Sequence, residues 1–512
     1  MSSISKNNFT FVKLNYYLSI DAGTSIIKTV LFNKKFELIF ISSVKNKVIT
    51  DEYGKSEIEM KKFWSLTSKC IKSCILQSKV NPLNIDAVGI TGNMVGAWPI
   101  DKANKPIRNA ILWNDTRSEK VFNYLKKRNK KIFENIFNIS GSLVQYGCTL
   151  PIIKWLELNE NKTLKKIKHF LTCKDWIRFK LTNNIYNDLT ERSVSPGDIK
   201  KIRFSLKIFN LLKLNHKYLE KFPEAKHSYE IGGYVTKNAS KQTGLEVGTP
   251  VAIGAGDVPS TAIGLGAIKN GMCSSIVGTT CHNFYVSEKP FFKPKNSGLL
   301  FYSPNNQWLR TMINVAGTTN FDWVVKNFYN YKSVNNSNLL SKIEKKFNNY
   351  NIAENNIIFL PYFNYGGTIS PFFNLNTKAE IFGLLPHHTA DDILFASYQG
   401  LCLSIRDCYY ALNIKMKNIL LSGGASKSII LPQILADVLG IKIQIPEGEE
   451  FGARGAAYLA SVSINSYSSL FDVVNRNNKI KKTFYPNIKN KKYYSDKFNK
   501  YVKLRKSLSN IW

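Results

Sequence analysis

The chain has no CxxC pair, no cluster of histidines and no apolar run long enough to cross a bilayer. Its eight cysteines (70, 74, 148, 173, 273, 281, 402 and 408) are scattered, and its six histidines do not gather around them. That excludes a zinc site and a disulfide framework and leaves reduced, buried thiols. Cys70 and Cys74 stand one helical turn apart, a spacing read here as a core helix. No stretch reaches the roughly 18 uncharged apolar residues of a membrane span. Met1 to Lys13 is polar and lacks the apolar centre of a secretory leader. A soluble cytoplasmic protein with no membrane partner is expected. Acidic residues are also scarce, 36 against 71 lysines and arginines, for a formal charge of +35. Such a balance usually suggests nucleic acid or an anionic surface. Here the lysines run along the whole chain beside many asparagines, the pattern of drift toward AT-rich codons. The most basic stretch, Lys479 to Lys506, carries Tyr494, Phe498, Tyr501, Leu504 and Leu508 at helical spacing. This predicts a terminal helix with one apolar face and lysines toward solvent, and no nucleic-acid partner.

What is present is a well-buried globular composition, 44% hydrophobic and 12% aromatic. At 512 residues the chain is too long for one ordinary core, so two domains are expected, 1–250 and 251–512. The first opens with a strand at Tyr17–Ile20, the turn Asp21–Ala22–Gly23–Thr24 and a second β-rich run from Ile26 to Phe32, which together predict a hairpin. A strand over Asp86–Thr91 follows, and helical patterns cover 150–158 and 175–181. The second begins with Val251–Gly254, the turn Ala255–Gly256–Asp257 and a small-residue helix from Pro259 to Ala267. Ser274–Val277 then reads as a strand running into Gly278–Thr279–Thr280. The strand 419–421 runs into Ser422–Gly423–Gly424–Ala425, and a helix follows near Pro432 to Leu439. Each half thus holds a strand, a Gly-Thr turn and another strand, which predicts two similar α/β halves closing on a cleft.

The turns carry the chemistry. In Asp21–Ala22–Gly23–Thr24–Ser25–Ile26–Ile27–Lys28 a glycine turn exposes backbone N–H groups to an anion, and Thr24 and Ser25 add hydroxyl donors. An acid at the strand end, Asp21, can hold a magnesium ion through water; a plain hairpin explains the same residues equally well. Gly278 and Thr279 suit terminal phosphates, and Gly423, Gly424 and Ala425 let a nucleotide lie against bare backbone. Three such turns, on opposite halves, point to nucleotide binding. Asp257 stands between glycines and a helix start, either as a cap or as the carboxylate that accepts a hydroxyl proton during phosphoryl transfer.

Taken together these segments resemble the FGGY family of carbohydrate kinases over nearly the whole chain. Trp113–Asn114–Asp115–Thr116–Arg117 resembles its sugar-site WxDxR segment. Lys174–Asp175–Trp176 through Arg178, Leu181 and Thr182 resembles its KDYxRxxLTG helix, and Leu360–Pro361–Tyr362 its LPY strand. The stretch from Leu421 through Ala425, Lys427, Gln433 and Asp437 resembles its adenosine signature, and Gly452 to Ala457 its late glycine-alanine helix. The resemblance implies an α/β fold of two actin-like, ribonuclease H-like domains, with ATP and Mg2+ as cofactors. It places Asp257 as proton acceptor, Asp21 at the metal, and Gly23, Thr24, Ser25, Lys28, Gly278, Thr279, Gly317, Gly423, Gly424, Ala425 and Lys427 at the nucleotide. It puts Met94, Val95, Trp98 and Asp115 beside the sugar with Asp257. Trp98 and Trp113 either stack on sugar or pack; Asp115 and Arg117 either pair structurally or bind hydroxyls, and the resemblance favours binding for Asp115. Asn187 and Asp188 are expected to make structural hydrogen bonds.

Where D-xylulose kinases carry Met-His-Gly, this chain has Met94–Val95–Gly96. Gly96–Ala97–Trp98, Arg108–Asn109–Ala110 and the residues after Asp257 resemble the L-xylulose and erythritol kinase branch instead. A Gly-Glu-Arg before proline is replaced by Gly366–Gly367–Thr368 ahead of Pro371. The expected partner is a small ketopentose or polyol, L-xylulose-like. D-xylulose, ribulose or glycerol, and a non-catalytic nucleotide- or sugar-binding regulator, are the alternatives, and a homodimer stays open.

Overall fold

A computed structural model describes residues 15–314, 317–329, 337–350, 352, 355–364 and 367–512. Gly366 of the altered Gly366–Thr368 segment lies outside them.

The first sheet starts with β1 (Tyr16–Ala22), β2 (Ile26–Asn33) and β3 (Leu38–Lys45). All three pair antiparallel, β1 with β2 and β2 with β3. Helix α1 (Met60–Ser78) packs on β2 and β3 through Phe63, Thr67, Ile71 and Cys74, buried at helical spacing. Strand β4 (Ile85–Gly92) then pairs parallel with β1. Helix α2 (Cys173–Thr182) begins at a capping box in which Thr172 and Asp175 satisfy each other's termini. The short helix α3 (Leu189–Val194) is capped by Asp188, whose carboxylate accepts the Thr190 N–H at 3.0 Å. Strands β5 (Ile231–Tyr234), β6 (Pro250–Ala252) and β7 (Ala255–Gly256) complete the sheet. Its order is β5–β6–β4–β1–β2–β3, with β7 also parallel to β4. The segment expected to open the second half therefore closes the first sheet.

The chain continues into α4 (Asp257–Leu265) and then a second sheet of β8 (Cys273–Val277), β9 (Cys281–Ser287), β10 (Leu299–Ser303) and β11 (Gln307–Asn314). Helix α5 (Ala390–Leu412), β12 (Asn418–Ser422), α6 (Leu431–Leu439) and β13 (Lys442–Pro446) follow. After α7 (Phe451–Ser463), β14 (Ile480–Phe484) and α8 (Lys491–Leu508) end the chain. The second sheet runs β10–β11–β9–β8–β12–β13–β14. Its centre repeats the first: an antiparallel trio, then parallel strands β12 and β13 beside β8. This is the duplicated actin-like, ribonuclease H-like α/β architecture. Apolar side chains of α5, α6 and α8 form the core behind the second sheet. In α8 Tyr494, Phe498 and Tyr501 are buried, as the spacing predicts. All eight cysteines are buried and free.

Helices α4 and α7 cross closely between the sheets. Glycine makes the approach possible: a Cβ on Gly455 would stand 1.9 Å from the Ser260 carbonyl oxygen, and one on Gly264 equally close to that of Phe451. On the other side of α7, Gly89 of β4 admits the Ala456 carbonyl, 2.1 Å from where its Cβ would be. Substitution Gly455→Ala is expected to destabilise the protein by about 1–3 kcal/mol through overpacking. Gly424→Ala, whose Cβ meets nothing within 4 Å, should leave the melting temperature unchanged. Thermal unfolding of both variants checks the contrast.

Candidate active site

Two acids stand where the sheets meet the crossing helices. Asp21 ends β1, opposite Lys28 across the hairpin and Thr91 of β4. Asp257 is the first residue of α4, and its Oδ1 accepts the Val258 N–H at 2.8 Å. Burial raises Asp257 to about 7, and the negative charge of Asp21 adds to the shift. Asp21 is itself raised to about 6, by burial first, against Lys28 and with Glu450. A Cβ on Gly452 would lie 3.1 Å from Asp21 Oδ2 and 3.3 Å from Thr261 Oγ1. The first turn of α7, with its positive dipole end, therefore abuts the Asp21 carboxylate.

The hairpin turn after Asp21 needs its glycine, since a Cβ on Gly23 would stand 2.7 Å from the Ile26 carbonyl oxygen. Asn46 fixes the backbone: its Nδ2 donates to the Thr24 carbonyl at 2.9 Å and its N–H to that of Ser25 at 2.8 Å. The Thr24 hydroxyl accepts the Trp113 indole N–H at 3.0 Å, and Ser25 is exposed. Lys28 is engaged by Glu450 at 2.8 Å, and Lys427 by Glu449 at 3.0 Å. Both lysines expected at the nucleotide are thus tied to adjacent glutamates just ahead of α7.

The second glycine group converges in space. The Gly317 N–H donates to the Thr279 carbonyl and the Thr318 N–H to that of Gly278, each at 2.8 Å. A Cβ on Gly317 would fall 2.2 Å from the Gly278 oxygen, and one on Gly423 (φ +87°) 2.5 Å from that of Val277. Residues 278, 279, 317 and 423 therefore form one patch of backbone at the ends of β8 and β12. Gly278 and Gly424 face open space, and Ala425 is buried behind them.

Two of the residues assigned to the sugar are placed elsewhere. Trp98 is fully buried, packed edge-on against Phe63 at 5.1 Å in the core of the first sheet. Its position in the short strand Trp98–Ile100 turns it inward, so it cannot stack on a ligand. Asp115 is buried too, and its carboxylate is consumed by the protein. It accepts the Ser56 N–H at 2.7 Å, the Arg117 N–H at 2.9 Å and the Arg117 guanidinium at 2.8 Å. Arg117 and Arg108 also share the buried Glu57. The segment is a brace, and the aromatic it presents is Trp113, 45% exposed. Met94 lies against the backbone ahead of the second acid, its Sδ 2.3 Å from where a Gly256 Cβ would be. Val95 adopts φ +54°, a strained conformation for a β-branched residue, and its N–H donates to Glu191 Oε2 at 2.9 Å.

Glu191 belongs to a buried ionic cluster that sequence reasoning did not assemble. Lys174 pairs with Asp188 at 2.5 Å and Asp175 at 3.0 Å, and Asp175 also meets Arg178 at 2.9 Å. Asn187 donates to Asp175 at 2.8 Å. The cluster reaches the base of the site at three points. Arg178 donates to the Ile253 carbonyl at 2.8 Å, the Thr190 hydroxyl accepts the Gly256 N–H at 3.1 Å, and Glu191 holds Val95. Burial would raise Asp175, but Lys174 and Arg178 bring it down to about 2. Glu191 goes the other way, to about 8, through burial and then the charge of Asp188, with Lys174 opposing. A protonated Glu191 leaves two cations against two carboxylates, a neutral set. A buried charge is silent in sequence; the signal available was the 174–182 helix motif and the pair Asn187–Asp188, which supply every member but Glu191.

The N-terminal domain of the FGGY family of carbohydrate kinases matches residues 16–264, and its C-terminal domain residues 273–464. The chain belongs to the FGGY family of carbohydrate kinases. Members of the family use ATP as phosphate donor, so the chain is an enzyme of that class with a small-molecule sugar or polyol acceptor. The probable L-xylulose kinase of Haemophilus influenzae is 28% identical, covering 97% of this chain and 100% of its own. An erythritol kinase of Brucella abortus is 26% identical over 89% of each. Among solved structures, ligand-bound xylulose kinase from Lactobacillus acidophilus superposes with a TM-score of 0.88, covering 97% and 99% of the two chains at 21% identity. Among the described residues no helix is long and apolar enough to cross a membrane.

The raised Glu191 fixes a pH dependence. A carboxyl with a folded value near 8 and an ordinary unfolded value near 4.3 stabilises the fold fully at low pH, and that contribution is lost as pH rises toward 8. Glu191→Gln keeps an acceptor for the Val95 N–H and should flatten stability between about pH 5 and 8, read by denaturant melts across pH. Lys174→Met, which removes the ion-pair partner of the buried Asp188 and one of the two of Asp175, should cost about 3–5 kcal/mol.

Proposed function

We propose that this kinase transfers the γ-phosphoryl of ATP to a hydroxyl of a ketopentose or polyol, with an L-xylulose-like sugar as the best candidate. The observation that carries the reading is the pairing of Asp257 and Asp21. Asp257 opens a helix and feels the charge of Asp21, which precedes a glycine turn. The substrate class rests on Met94–Val95–Gly96 and on relatives named as L-xylulose and erythritol kinases.

The sugar lies between the Met94–Val95 loop, the exposed Trp113 face and Asp257. Asp257, held near neutrality by burial, accepts the hydroxyl proton as the oxygen attacks phosphorus in line. Gly23, Thr24 and Ser25 donate to the transferred phosphoryl, and the second glycine patch and Gly424 receive the rest of the nucleotide. Among the described residues no three His, Cys, Asp or Glu side chains gather into a metal cage. The acids nevertheless fit a magnesium ion held mainly by phosphates and water, because a cation beside Asp21 would favour its ionised form and offset the negative charge that raises Asp257. Magnesium would supply charge neutralisation at the phosphates, with Asp21 the residue that holds it. Closure of the two halves would exclude water as a competing acceptor. We place the division between halves after α4, because β6 and β7 complete the first sheet.

Asp257→Asn is expected to lower kcat by about 100- to 10,000-fold with nucleotide affinity kept. The assay is ADP release from MgATP with L-xylulose, D-xylulose, L- and D-ribulose, erythritol and glycerol. Near-normal turnover by Asp257→Asn would remove it as the base.

A further inference from the structure

Thr24 sits in a turn whose backbone is already fixed by Asn46. Only its hydroxyl is left to orient, and that hydroxyl accepts the Trp113 indole N–H at 3.0 Å. An indole N–H is a donor only, whereas a hydroxyl carries one proton and two lone pairs. Thr24 Oγ1 must therefore accept from Trp113, and its own proton points elsewhere. Among the described residues that proton reaches no protein acceptor. We propose that Trp113 is a positioning residue that presets the Thr24 hydroxyl as a donor to the transferred phosphoryl group.

Trp113 is built for such a task. A Cβ on Gly147 would stand 1.8 Å from the Trp113 carbonyl oxygen, so the chain behind it is closely packed. The next residues are pinned by Asp115, Arg117 and Glu57, and the Leu112 N–H donates to Ser56 at 2.9 Å. From this rigid base the ring crosses to the phosphate hairpin, 89 residues away in sequence. The residue remains 45% exposed. One side chain thus offers a surface to the acceptor and a hydrogen bond to the group that grips the phosphoryl. A sugar that displaces water from the ring strengthens that hydrogen bond by lowering the local dielectric. Acceptor binding and phosphoryl grip are coupled through it. The inference rests on the kinase reading above.

A double-mutant cycle tests it on the full chain. Trp113→Phe keeps an aromatic face and removes the donor; Thr24→Val removes the hydroxyl in nearly the same shape. Each single change should lower kcat by about fivefold, the worth of one ordinary hydrogen bond. For Trp113→Phe, KM for the sugar should stay within about twofold of the parent. The double variant should be no slower than Thr24→Val alone, because Trp113 acts only through the Thr24 hydroxyl. If the two losses multiply, or if Trp113→Phe matches the parent in kcat, the proposal fails while Asp257→Asn still reports on the kinase reading. If no sugar in the panel is turned over, that reading fails first. The same cycle is then read by calorimetry with MgAMP-PNP, a non-hydrolysable ATP analogue. Non-additive weakening upholds the Trp113–Thr24 unit, and additive or absent weakening overturns it.

Discussion

Beneath the candidate site, Lys174, Asp175, Arg178, Asp188 and Glu191 form a cluster sealed from water, and the positions of the segments at Val95 and Gly256 depend on it. Desolvating four charges and a carboxyl is expensive, and their mutual attraction repays it only when every partner is in place. The same completeness makes the cluster a rigid platform. It holds the Ile253 carbonyl, the Gly256 N–H and the strained Val95 peptide, so the residue before Asp257 and the Met94–Val95 loop are set by one network. Loose apolar packing would place those groups less precisely, since it fixes volume and not direction.

A second constraint is the close crossing of α4 and α7, which carry Asp257 and the turn against Asp21. Glycines at 264 and 455 bring the helix backbones together, and the two N-terminal ends then point at the two acids. Burial raises both carboxyls, with the charge of Asp21 adding to the shift of Asp257 and that of Glu450 to the shift of Asp21. That state is costly in the empty protein and suits a site that binds a cation and gives up or takes a proton. The glutamates at 449 and 450 pair with Lys427 and Lys28, so residues just ahead of α7 reach the turns of both halves.

Much of the architecture was legible in the residues. The hairpin around Asp21, the helices at 149–159, 173–182 and 431–439, and the amphipathic tail all declare themselves through turn residues and periodicity. The glycine turns were also readable, because a turn that bares backbone has few other residues to use. Misreadings came where a side chain's direction decides its role. Trp98 and Trp113 look alike as tryptophans beside candidate sugar residues, yet one faces Phe63 in the core and the other is partly exposed and meets Thr24. Asp115 looked like a ligand until Arg117 and Ser56 were seen to occupy its carboxylate. The strand at 250–252 reads as the start of something new, but its partner is β4.

The sequence by itself determined the family, the reaction class and the local elements, because turn chemistry, capping and hydrophobic period act over a few neighbouring residues. Only the tertiary structure decided which acids share a field, which lysines are occupied and which tryptophan meets the phosphate hairpin. Those facts join residues tens to hundreds of positions apart, such as Trp113 with Thr24 and Lys28 with Glu450. Hydrogen bonding and desolvation depend on distance in space, and no local pattern encodes it.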